Sequence, residues 1–147
     1  MKLSTRFRYA SRVLAELATH RMDQPLPLRE VAQRQQVSVK YLEQIFTSLR
    51  CSELVRAVRG SRGGYQLARP ASEITLLDVY QAIEGELCLV DCVNSPELCS
   101  LSWECPTVDT WIKLQAAIAE VLRNTTIEML AQNLRTKRES AALNFQI

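Results

Sequence analysis

Histidine occurs once among the 147 residues, glycine four times, and aromatic residues make up only 6%. A single histidine deprives a Cys or Ser nucleophile of its usual base, and three of the four glycines crowd into residues 60–64, which leaves no Gly-rich phosphate-binding fingerprint elsewhere. Enzymatic chemistry therefore has little to build on. No apolar run approaches the roughly 20 residues of a membrane-spanning helix, and the first residues form a basic amphipathic segment without a signal-peptide core. The expectation is a cytoplasmic chain with no membrane partner.

Net charge is also small, at +2, yet it hides an asymmetry. Residues 1–69 carry 13 Lys and Arg against 5 Asp and Glu, whereas residues 70–147 carry 5 against 11. A basic half suits a polyanion, and an acidic half turned away from it keeps the molecule soluble. Cysteine, by contrast, is plentiful. Four of the five, Cys88, Cys92, Cys99 and Cys105, fall within eighteen residues, and Cys51 stands apart. Clustered thiols in a chain without a secretion signal read as ligands or sensors rather than structural disulfides.

The stretch from Leu28 to Leu67 organises the basic half. Leu28, Val31 and Ala32 share one face of a short helix, Gln36 and Val37 make a turn, and Ser38 stands where an N-cap is needed. The following helix carries Leu42, Ile45, Phe46 and Leu49 inward at spacings of three and four. Val39, Lys40, Tyr41, Glu43 and Gln44 are left on its outer, N-terminal surface, the part of a recognition helix that reaches base edges. A β-prone run from Val55 to Arg59, a turn at Gly60-Ser61-Arg62-Gly63-Gly64 and a return strand at Tyr65-Gln66-Leu67 then form a hairpin. Arg56, Arg59 and Arg62 place three guanidinium groups there, suited to phosphates or a narrow minor groove. A helix-turn-helix followed by such a wing is a DNA-binding module.

Elsewhere, Ser4 caps a first helix with Phe7, Ala10, Val13, Leu14, Leu17 and Ala18 inward, broken by Arg21 to Pro27. Arg6, Arg8 and Arg12 project from its other side, and His20 lies near its end as a surface residue rather than a ligand. Thr75 and Asp78 resemble a capping box for a helix from Leu76 to Glu84, which Gly85 stops. From Glu86 to Pro106 no periodicity is sustained. Cys92, Cys99 and Cys105 are spaced too widely for a structural zinc site; an iron-sulfur cluster, free thiols, a redox disulfide with Cys88 and adventitious zinc all remain open. A long helix follows to about Asn124, with Trp111, Leu114, Ile118 and Val121 in its apolar stripe, suited to pack on its own core and on a twin. A short helix restarts at Thr125-Thr126-Ile127-Glu128 and runs through Leu130, and the polar residues beyond Asn133 default to disorder.

The chain resembles the Rrf2 family of bacterial transcription regulators, above all its iron-sulfur regulators of the IscR type. The resemblance rests on Met1-Lys2-Leu3-Ser4, Arg8-Tyr9-Ala10, the run from Ser38 to Phe46, Leu54-Val55, Val58-Arg59-Gly60, Gly63-Gly64-Tyr65 and the three cysteines. It implies a mainly α fold: a winged helix-turn-helix with a two-stranded β wing and a long C-terminal dimerisation helix. The domains would be residues 1–84 for DNA binding, 85–106 for a cysteine-bearing sensor loop and 107–132 for the dimerisation helix and short terminal helix; the resemblance ends near Gln132, and 133–147 default to a disordered tail. It further implies a homodimer on double-stranded DNA, contacted through Ser38, Lys40, Tyr41, Glu43, Gln44, Arg59 and Arg62. Cys92, Cys99 and Cys105 would hold an iron-sulfur cluster, 2Fe-2S or 4Fe-4S. Val108 stands where relatives often place a His, and Arg8 where others place an acidic ligand. The fourth ligand is thus left among Cys88, Asp91, Glu104, Asp109 and an external thiol. The alternative is an Rrf2-type regulator without a cluster, using a thiol-disulfide switch or a partner protein.

Overall fold

The computed structural model describes residues 3–20 and 24–144. Met1, Lys2, Arg21 to Asp23 and the last three residues, on which parts of the reading above rest, lie outside them.

Side-chain caps set where the first helices begin. Ser4 Oγ accepts from the Phe7 amide at 3.0 Å and opens α1 (Thr5–Thr19). Ser38 Oγ accepts from the Tyr41 amide at 3.2 Å and opens α3 (Val39–Cys51). Each such cap satisfies an amide with no partner inside its helix and is worth about 1 kcal/mol. Between them α2 (Leu28–Gln35) ends on Gln36, whose φ of 55° turns the chain so that the Val37 amide reaches Ala32 O at 3.1 Å. The three helices converge through Phe7, Ala10, Val13, Leu14 and Leu17 of α1, Val31 and Ala32 of α2, and Leu42, Ile45, Phe46 and Leu49 of α3, all buried. The expected inward faces are the observed ones.

The wing consists of β1 (Val55–Val58) and β2 (Gly64–Leu67), antiparallel, with Val55 opposite Leu67 and Val58 opposite Gly64. Its glycines divide the work. Gly60 takes a φ of 120°, while a Cβ on Gly63 would stand 2.4 Å from Val58 O and one on Gly64 2.4 Å from Leu26 O. Leu26 exchanges two 2.9 Å backbone bonds with Tyr65, giving the wing a third partner that its sequence pattern does not announce. Phe46 closes over Tyr65 with ring centroids 4.2 Å apart, so the hairpin is fastened to α3.

Thr75 and Asp78 form the full capping box of α4 (Leu76–Glu84), and Gly85 ends it with a φ of 87°. The following loop is not featureless as its composition suggested. It contains one helical turn, α5 (Asp91–Asn94), and a 3-10 turn at Pro96–Leu98. Next comes α6 (Val108–Asn124), which turns Ile118 and Leu122 toward the core and leaves Ile112, Leu114 and Val121 exposed.

The largest departure from expectation is the last helix. Instead of a short helix and a disordered tail, α7 runs over Ile127–Asn144 and packs along α1. Its start is bound into the fold by backbone bonds of 2.8 Å from Leu76 to Thr125 O and from Ile127 to Ile74 O. Ile127 and Ala131 are fully buried. Farther along, polar side chains hold it: Arg135 donates to Ala18 O at 2.9 Å and Arg138 to Glu16 Oε2 at 2.6 Å. A polar helix looks like a tail when its partners lie more than a hundred residues away.

Candidate nucleic-acid interface and cysteine loop

The outer face of α3 carries exposed Lys40, Glu43 and Gln44 beside the exposed cap Ser38. Its N-terminus presents backbone amides and the positive end of the helix dipole, both favourable to phosphate oxygens. Tyr41 is only half-exposed, because its ring meets Tyr9 of α1 edge-on at 5.7 Å. Ser38 already uses its oxygen on the Tyr41 amide, which leaves its hydroxyl proton free to donate. Across the wing Arg56, Arg59 and Arg62 are exposed and form no ion pair with any described residue. The structure therefore brings every expected DNA-facing residue to the surface of one module, with its cations uncommitted.

The cysteine loop has a different character. Cys88, Cys92, Cys99 and Cys105 are half-buried free thiols, and Cys51, at the end of α3, is exposed and free. Cys92 lies in the turn of α5, Cys99 follows the 3-10 turn, and Cys105 precedes α6. Cys105 Sγ lies 3.3 Å from Thr107 Oγ1, and hydrogen bonds from Thr107 hold this thiol below its ordinary pKa. Cys88 is shifted the opposite way, by desolvation and then by the negative charges of Asp91 and Glu86. Gln115 of α6 anchors the loop, accepting from the Leu89 amide at 3.0 Å and donating to Asn94 at 2.7 Å.

Among the described residues no three His, Cys, Asp or Glu side chains are gathered closely enough to hold a metal ion. The three thiols have the right donor chemistry for an iron-sulfur cluster, but in this conformation they are not assembled around one point. Holding one requires the loop to move.

One constellation escaped the sequence reading. Glu16, fully buried in α1, accepts from Arg34 of α2 at 2.7 Å and from Arg138 of α7 at 2.6 Å, and Arg34 also pairs with Glu30. Burial pushes the Glu16 carboxyl upward, but the bonds from Arg138 and Arg34 outweigh it and hold its pKa below the ordinary 4.5. A carboxylate inside the apolar run Val13 to Ala18 was the available signal, since such a group demands a cation.

Residues 3–133 match the sequence profile of the Rrf2 family, described as iron-dependent transcriptional regulators. The chain belongs to the Rrf2 family. It is 36% identical to protein rrf2 of Nitratidesulfovibrio vulgaris over 90% of this chain and 89% of that one. It is 37% identical to the HTH-type transcriptional regulator IscR of Sodalis glossinidius over 90% and 80%. Among solved structures it superposes on CymR, the global cysteine regulator of B. subtilis, with a TM-score of 0.76 and 33% identity, covering 90% of this chain and 98% of that one. IscR of T. potens follows with a TM-score of 0.73 and 32% identity over 91% and 88%. The winged-helix fold and similarity to IscR are thus those of this Rrf2 chain, a transcription regulator rather than an enzyme. Among its described residues no helix is long and apolar enough to cross a membrane.

Proposed function

We propose that this Rrf2-family chain acts in the cytoplasm as a homodimer on pseudo-palindromic double-stranded DNA, with α3 in the major groove and the wing beside it. The observation that carries this reading is the exposed, capped N-terminal half of α3, fastened through Phe46 and Tyr65 to a wing of uncommitted arginines. Ser38, Lys40 and Tyr41 position the helix; Glu43 and Gln44 face bases, where Gln suits adenine and Glu the cytosine amine. Arg59 and Arg62 engage phosphates or the minor groove. The exposed Ile112, Leu114 and Val121 on α6 support a second copy as partner, since a two-fold pair of recognition helices reads half-sites spaced by whole turns.

The signal we assign is an iron-sulfur cluster held by Cys92, Cys99 and Cys105. When bound it would supply a redox-active group that oxygen or nitric oxide can damage. What this chain contributes is a short loop of free thiols with little apolar burial, joined to α6 through Gln115. A cluster-free thiol switch is the second reading. It is favoured by the lowered pKa of Cys105, which raises its thiolate fraction, and a solved structure of CymR from Staphylococcus aureus is described as an oxidised form.

The deciding measurement is the visible spectrum, with iron and sulfide content, of protein purified without oxygen, alongside Cys92→Ala. Stoichiometric iron and sulfide lost in the variant support the cluster. A colourless protein after reconstitution, with a defined disulfide on oxidation, supports the switch. Selection from random duplexes tests the DNA half: a site with two-fold symmetry is expected, and no salt-dependent binding to any duplex would remove it.

A further inference from the structure

A groove of about 580 Å³ lies between α1, α2 and α7, away from the cysteine loop. Arg8, Arg12, Arg34, Lys137 and Arg138 line it, and no acidic side chain does. Arg34 and Arg138 are partly neutralised by Glu16, whereas Arg8, Arg12 and Lys137 have no acidic partner among the described residues. Like charges gathered at one surface repel, and an anion between them adds attractions that offset the repulsion.

A second observation comes from Gln35, which also lines the groove and is only 7% exposed. Its Nε2 donates to Glu16 Oε2 at 3.4 Å, and its Oε1 has no hydrogen-bond partner. Reversing the amide would press the oxygen against the Glu16 carboxylate, so the orientation is determined by that neighbour. A buried acceptor left unpaired is costly, and such a group calls for a donor.

We propose that this groove binds a small anionic metabolite that carries a carboxylate or phosphate together with a hydroxyl or amino donor. Arg12 and Lys137 take the anionic group and Gln35 Oε1 takes the donor. The site is wired to the recognition helix. The Arg12 guanidinium lies 5.0 Å over the Tyr9 ring, and that ring meets Tyr41 of α3. An anion that draws Arg12 away from Tyr9 removes one support from Tyr41 and changes affinity for DNA. This coupling rests on the DNA-binding reading; the binding of the anion does not.

The test uses the full chain, with thermal unfolding and titration calorimetry against citrate, L-glutamate and glycerol 3-phosphate at up to about 10 mM and constant ionic strength. At least one should bind saturably and raise Tm, and comparing citrate with glycerol 3-phosphate tells carboxylate from phosphate. Arg12→Ala and Lys137→Ala should each weaken binding about tenfold, the loss of one charge-assisted contact. Gln35→Leu should weaken citrate but not tricarballylate, which lacks the hydroxyl. No saturable binding by any of the three, or binding unaltered by these variants, would overturn the site. So would conversion of a dimer to monomers by Arg12→Ala or Lys137→Ala, which would assign the groove to an acidic segment of a second copy. Retained anion binding with unchanged affinity for DNA would overturn the coupling alone.

Discussion

Residues 28–67 and residues 85–107 treat their apolar side chains in opposite ways. The winged module buries Val31, Ala32, Leu42, Ile45, Phe46, Leu49, Leu54 and Val55. In the cysteine loop Leu87 is the only buried residue, while Leu98, Leu101 and Trp103 are exposed, Trp103 by 78%. The first stretch finds its conformation within the chain. The second has little apolar burial of its own to hold it, so it is the part of the chain most easily rearranged.

The sharpest way to break this comparison is a pair of truncations. Phe46→Ala should cost about 3–5 kcal/mol in urea unfolding, as a buried ring is lost, and Trp103→Ala less than about 0.5 kcal/mol. A large loss at Trp103 would mean that the loop is packed after all, against another copy.

Glu16→Gln comes next. Removing the buried charge strands Arg138 and leaves Arg34 with Glu30 alone, and because both guanidinium groups are partly exposed the loss should sit near about 3 kcal/mol, the lower end for broken buried pairs. The folded carboxyl titrates below 4.5, so its stabilisation is complete above that pH and disappears as pH falls through the depressed value. The variant should therefore lose less stability than the wild type between neutral pH and pH about 3. Parallel losses would remove Glu16 from acid unfolding.

Gly64→Ala should cost about 1–3 kcal/mol by forcing β2 away from Leu26 O, with faster hydrogen exchange at the Leu26 and Tyr65 amides. Unchanged exchange would show that the bridge does not depend on that glycine. The smallest effect on folding belongs to Arg62→Ala: stability should be unaltered, and the salt dependence of DNA binding should fall by about one phosphate contact. An unchanged salt slope would place Arg62 off the DNA.

How much of this could be read beforehand follows from the range of each interaction. Ser4, Ser38 and the Thr75–Asp78 box act within four residues, and the helices they open begin where expected. The inward faces of α1, α2 and α3 followed from periodicity alone. Lys40, Glu43 and Gln44 are exposed because that same periodicity leaves them outside, and Arg59 and Arg62 because they lie in the turn between β1 and β2. The length of α7 could not be read this way, since Arg135 and Arg138 are held by Ala18 and Glu16 and nothing near them in the chain signals it. Leu26 likewise gains strand character only from Tyr65. The arrangement of Cys92, Cys99 and Cys105 depends on a loop with almost no core, where spacing constrains little.

The clasp between α7 and α1 also bears on how the molecule is made. Arg138 follows Glu16 by 122 residues, so during synthesis α1 emerges long before the cation that neutralises its inward carboxylate. Until then Arg34 is the one described cation on Glu16, and the first helix cannot close over its full length without burying a half-compensated charge. Contacts so distant along the chain are late and slow to form. A ribosome-bound or prematurely terminated chain would hold α2, α3 and the wing against an α1 not yet sealed along its length, and quality-control proteases would meet it there first.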